Sequence, residues 1–182
     1  MTVRTNLAVA ATIIASLTGW AWANQAETTT ASQGLRIGVY DSRAVAIAYA
    51  GSPVHDRILK AKMAERDKAK AAGNEDKVKE LEAWGQEQQQ RMHLQGFGSA
   101  PVTDILAHIK EKFPQIAADA GVDLIVSKWQ IDYINPDIQT VDITLRIIEP
   151  FEPKAKALQW IEQLKDKAPL SDEDIDRHGH NH

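Results

Sequence analysis

The chain has 182 residues, with 25 Asp+Glu against 21 Lys+Arg, no Cys and 43% hydrophobic residues. This near-average composition excludes wholesale disorder and collagen-like repeats. The missing Cys excludes a disulfide scaffold, thiolate zinc sites, a Cys nucleophile and a lipid-modified N-terminal Cys. A formal charge of −4 argues against a nucleic-acid binder, which needs a basic face to neutralise phosphates.

Residues 1–23 read as a cleaved secretory signal peptide. Arg4 supplies the positive start, Leu7 to Leu17 is apolar apart from Thr12 and Ser16, and Ala21-Trp22-Ala23 forms a small-x-small cleavage pattern. The apolar core falls short of the ~20 residues of a membrane span, which argues against an uncleaved anchor. The expected product starts at Asn24, has no integral membrane span, and resides in an exported compartment, in a bacterium the periplasm. Residues 24–33 are polar and Thr-rich, a flexible lead.

From Leu35 to Tyr40 apolar residues alternate with others, which predicts a strand. Asp41 or Ser42 then caps a short Ala-rich helix to about Ala50. Gly51-Ser52-Pro53 interrupts it, with Ser52 as cap and Pro53 in the first turn of a second helix. Gly73-Asn74 stops that helix near Ala72, and Glu75-Asp76 puts negative charge at the start of the return helix, which runs to about Gln95. Gly96 to Pro101 breaks the return arm. An amphipathic helix follows from Val102 to Ala120, kinked at Pro114. Gly121 ends it, Val122–Val126 reads as a second strand and Gln130–Ile134 as a third. Short helices are predicted over 142–148 and from Pro153 to about Lys167, and 169–182 reads as a disordered acidic, His-rich tail.

Residues 54–95 differ from the rest. They carry nine Lys+Arg and eight Asp+Glu with few apolar side chains. With the turn at Gly73-Asn74, the expected seam sets Val54, Ile58, Ala61, Ala64, Ala69 and Ala72 against Val78, Leu81, Trp84, Gln88 and Met92. So thin a seam predicts an antiparallel helical hairpin, solvated on most faces and protruding from its body. The predicted fold class is therefore α+β: a small β-sheet body, residues 34–53 and 96–168, with the coiled-coil-like arm 54–95. Three short strands leave open sheet edges, which favours a homo-oligomer.

The order of these elements resembles the Skp/OmpH-like family of periplasmic chaperones over roughly residues 35–148. Arg36-Ile37-Gly38-Val39-Tyr40-Asp41 and Gly121-Val122-Asp123-Leu124-Ile125-Val126 match its strands. Ile131-Asp132-Tyr133-Ile134-Asn135 and Val141-Asp142-Ile143-Thr144 match its last strand and short helix. The resemblance implies a trimer whose arms enclose unfolded outer-membrane or other exported proteins, working without ATP or any cofactor. These arms are shorter than the family's and nearly neutral, and the helix at 153–167 and the tail lie outside its pattern.

A holdase needs adaptable apolar groups set sparsely among charges. The expected client contacts are Met63, Trp84, Met92, Leu94 and Phe97, with Lys60, Arg66 and Lys70 for client carboxylates; Trp84 and Met92 also fit as seam fillers. Gly51 and Pro53, together with Gly96, Gly98 and Pro101, lie at nearly equal distances from the tip and are expected side by side as a hinge. His55 and His93 are expected to face each other near it. A competing role is an envelope structural or adaptor protein that binds one folded partner through the hairpin. His178, His180 and His182 are candidate metal ligands on the tail. There is no Gly-x-Ser-x-Gly, no His-Glu-x-x-His and no phosphate loop. Asp41, Asp123, Asp132 and Asp142 are the carboxylates an enzyme would converge, although each has a cap, turn or strand explanation, and no enzymatic activity is expected.

Overall fold

The computed structural model describes residues 34–165 and 167–169. The expected signal peptide, the lead and all but Pro169 of the expected tail, including His178, His180 and His182, lie outside the described residues. The chain mixes helix and strand, as the α+β expectation required, around one three-stranded sheet of order β2-β1-β3. Strand β1, Arg36–Tyr40, is central. It pairs in parallel with β2, Leu124–Ser127, setting Val39 opposite Val126, and with β3, Gln139–Asp142, setting Val39 opposite Asp142.

The third strand is not where alternation placed it. Lys128–Gln130 forms a 3₁₀ turn, with Ser127 Oγ accepting from the Trp129 amide at 3.4 Å, and the strand comes nine residues later. The parallel sense is the reason. The chain leaves the carboxyl end of β2 and must return to the amino end of β3 across β1, which no tight turn can do. Residues 131–138 are that return.

Helix α1, Ser42–Ala50, is capped by Asp41, whose carboxylate accepts from the Arg43 amide at 3.0 Å. Its small side chains let it lie close among its neighbours, and Val45 and Ala48 are wholly buried. With Ile105, Ile109, Ile143, Ile147, Ile148 and Phe151 they form the core. Gly38 on β1 serves the same packing: a Cβ there would come within 2.7 Å of Ile143 Cδ1.

The predicted helix at 102–120 is divided into α4, Thr103–Leu106, a 3₁₀ stretch Ala107–Lys112, and α5, Phe113–Ala120. Pro114 lies in the first turn of α5 rather than inside a kinked helix. Its ring clashes with the carbonyl four residues back, so the preceding turns tighten to i+3 bonding. Two further helices complete the body, α6 over Thr144–Ile148 and α7 over Ala155–Leu164.

Helices α2, Pro53–Ala71, and α3, Glu75–Phe97, follow α1. Ser52 Oγ accepts from the His55 amide, as its expected role as cap requires, and Asn74, expected only as part of the stop, caps α3 by accepting from the Lys77 amide at Oδ1. Between them Gly73 takes a left-handed φ of 68°, which costs glycine little. The two helices touch along their length: Lys77 Nζ lies 3.3 Å from Glu65, and Lys62 Nζ stands 5.7 Å over the Trp84 ring. Among the described residues no helix is long and apolar enough to cross a membrane.

Candidate functional site

The α2/α3 pair buries little. Ala69 is the buried residue of α2, and Leu81 and Gln95 are those of α3. The seam differs from the expected one, because Ala61 and Ala64 are exposed while Lys62 and Glu65 are half-buried. Ile58, Lys62, Glu65 and Ala69 keep the alternating four-and-three spacing that holds one stripe against a neighbouring helix, and the two alanines fall off that stripe. Lys62 and Glu65 therefore cover the seam with their stems and place their charges at its rim.

This arrangement leaves a groove of about 430 Å³ around Trp84, walled by Leu59, Met63, Arg66, Leu81 and Gln89. Leu59 is 41% and Met63 47% exposed. Leu59 was missed from the sequence, although it shares a helix face with Met63 four residues on, a spacing that signals the pair. Trp84 is half-buried, Lys60 and Lys70 are exposed, and Arg66 pairs with Asp67 at 2.9 Å. Met92, Leu94 and Phe97 are half-buried farther along α3. The Phe97 ring lies 6.2 Å from that of His93, so Phe97 does not stand free between its glycines. Met63, Trp84 and Arg66 thus share one groove, whereas Met92 lines a second cavity with His55 and His93. His55 packs on the Tyr49 ring, at 5.2 Å, and lines that cavity together with His93.

The expected hinge residues do not lie side by side. Gly51 caps the end of α1 and faces Ala157, while Gly98 faces the side chains of Pro169 and of Arg43 at the start of α1. Pro53 opens α2, Pro101 accepts a hydrogen bond from Gln95, and Gly96 sits inside α3. Helix α3 runs unbroken from its turn with α2 to the flank of α1, past the break at Gly51-Ser52. It is anchored there by Gln95, 1% exposed, whose side-chain N–H donates to Pro101 O at 2.9 Å and Asp104 Oδ1 at 2.7 Å. The helix ends within the expected break of Gly96 to Pro101, two residues past Gln95, because an isolated glycine such as Gly96 weakens a helix without ending it. The true stop is Gly98, with φ 89°.

A second concave region lies beyond the carboxyl ends of the strands. Asp41 follows β1, Lys128 follows β2 and Asp142 ends β3, and all three line a cavity of about 610 Å³ with Thr144, Leu145 and Ile161. Asp41 accepts from Arg43 Nε at 3.1 Å, Arg43 Nη2 at 2.8 Å and Trp129 Nε1 at 2.8 Å, and Lys128 Nζ lies 3.0 Å away. Burial raises the pKa of this carboxyl, but the donated hydrogen bonds from Arg43, Trp129 and Lys128 and the Arg43 charge outweigh it, lowering it from 3.8 to about 2. The same guanidinium donates to Leu164 O at 3.3 Å and Lys167 O at 2.7 Å, tying the end of α7 to the start of α1. Of the four aspartates singled out in the sequence, Asp41 and Asp142 share this cavity. Asp123 instead accepts from the Arg36 amide at the opposite end of β1, and Asp132 is exposed on the return to β3.

No protein-family model, curated protein or solved structure matches this chain. Among the described residues no group of three or more His, Asp or Glu is placed to hold a metal ion.

Proposed function

We propose that this chain is an ATP-independent holdase-type chaperone of the periplasm, related to the Skp/OmpH-like proteins it resembles, that binds unfolded outer-membrane or other exported proteins along the α2/α3 arm. The observation that carries the reading is the groove at Trp84, with Leu59 and Met63 exposed beside it among Lys62, Arg66 and Glu82. A Met side chain adapts to varied apolar shapes, and charges of both signs keep such a surface from collapsing on itself. On this reading the arm protrudes from a body that assembles as a homo-oligomer, a trimer by resemblance, and residues 1–23 direct export and are removed.

The test is aggregation of a denatured outer-membrane β-barrel diluted into the chain starting at Asn24, followed by light scattering and by gel-filtration mass. Suppression at stoichiometric amounts, lost in a Leu59→Asp/Met63→Asp double variant, is expected. Unchanged scattering, or full protection by the double variant, overturns the reading.

One observation favours a second reading, an envelope adaptor that binds a single folded partner. The unbroken course of α3 into the body makes the arm stiff, which suits docking of a fixed shape. A folded partner would be retained by the arm in a pull-down from native envelope extract, and the same double variant would release it.

A further inference from the structure

We infer that the cavity beyond the carboxyl ends of the three strands is a binding site for a small amphipathic carboxylate, an apolar body carrying one anionic head. This does not depend on the chaperone reading, since none of the residues involved belongs to the arm. In open parallel sheets the carboxyl ends of the strands are where ligands collect, because connecting loops diverge there and leave a crevice. At about 610 Å³ the cavity falls within the range of small-molecule sites.

Its lining supplies both halves of the ligand's chemistry. Ala44, Leu145 and Ile161 present carbon, and Leu145 is 69% exposed with its side chain lining the cavity. Such a side chain gains when another apolar group covers it. The lining itself is balanced, with Lys128, Arg146 and Lys165 against Asp41, Asp142 and Glu162, and the excess is local to Asp41, where the buried Arg43 behind the wall and Lys128 in it both stand on one carboxylate. Three of those contacts are internal. Asp41 is held by Arg43, Glu162 pairs with Lys165 at 3.9 Å, and one Asp142 oxygen accepts from the Thr144 amide at 2.9 Å. Lys128 adds a second cation to the Asp41–Arg43 pair, and Arg146 has no ion-pair partner among the described residues. An anionic head is therefore drawn to Lys128 and Arg146, beside Thr144, whose Oγ1 accepts from the Asp41 amide at 3.0 Å and whose O–H is left for a ligand.

Octanoate is the probe, with octylammonium and octanamide as counterparts of opposite and no charge, each titrated into the chain starting at Asn24. Calorimetry and the backbone and Trp129 indole N–H shifts report binding. Saturable octanoate binding, roughly tenfold tighter than octylammonium, is expected, because rim charge discriminates between heads of opposite sign. Arg146→Glu and Leu145→Asp alter exposed side chains that leave the core intact, so both variants should fold. Each should weaken octanoate by about fivefold or more, Arg146→Glu without weakening octylammonium. Equal binding of the three probes, no saturation, shifts confined to the arm, or full affinity in both variants would overturn the site. Octanoate binding that appears only after residues 170–182 are deleted would overturn it too, making the chain's own acidic end the occupant.

Discussion

Helices α1 and α2 are separated by Gly51 and Ser52 alone, yet α1 buries six of its nine residues and α2 one of its nineteen. The contrast follows from composition. Helix α1 is built from alanines, Val45 and Ile47, small enough to approach α3, α6 and α7 at once. Helix α2 alternates alanine with lysine, arginine and acids, and has one neighbour along most of its length. Stability in the first helix comes from being surrounded, and in the second from its caps, the i,i+3 ion pair of Lys62 with Glu65 and one seam. A chain that needs a rigid base and a solvated surface obtains both by changing composition across a two-residue break.

The contrast predicts a graded series of stability changes. The largest effect is expected for Arg43→Ala. Removing a guanidinium that is 2% exposed strands the Asp41 carboxylate and the Leu164 and Lys167 carbonyls, at a cost of about 3–5 kcal/mol in urea unfolding. A loss under about 1 kcal/mol would mean that Lys128 and Trp129 hold Asp41 unaided. Next comes Ile147→Ala in the core, fully buried, with an expected loss of about 2–4 kcal/mol.

The pH dependence of the base follows from Asp41. Its folded pKa of about 2 lies below the ordinary 3.8, so the unfolded chain binds the proton more readily. The stabilisation, about 2 kcal/mol by linkage, is complete above pH 3.8 and is lost as pH falls through about 2. Asp41→Asn should be less stable at neutral pH and should flatten that part of the acid profile; an unchanged slope between those pH values would assign acid unfolding to other carboxylates. On the arm, Leu81→Ala should cost about 2 kcal/mol locally, visible as faster amide exchange in α2 and α3 while the strands keep their protection. The smallest effect belongs to Met63→Asp, expected within about 0.5 kcal/mol of the parent despite its proposed effect on client protection. A large loss of stability there would mean that the groove is packing rather than a surface.

Much of the local structure was legible because single residues dictate it. Asp41 and Ser52 announce caps, and Gly73 and Gly121 announce left-handed stops. The strand at 36–40 follows from alternation. Reading failed where a distant partner decides. Ile131 to Ile134 look as strand-like as Gln139 to Asp142, and the choice falls to the segment that reaches the free edge of β1 in a parallel sense. Ala61 and Ala64 look like seam residues until the spacing imposed by α3 selects Lys62 and Glu65. The groove was partly visible through Met63, Trp84 and Arg66. The cavity at the strand ends was not, because its walls come from four separate stretches of chain.

The amino-acid order alone determined where helices start and stop, that 54–95 is too charged and too poor in apolar residues to bury, and that no cysteine braces the fold, because these depend on neighbours in sequence. Only the tertiary structure decided that the sheet is parallel, that α3 continues past the break beside α1, and that Asp41, Lys128 and Asp142 share a cavity. Those outcomes rest on contacts between residues up to about a hundred positions apart, whose energies no local pattern carries.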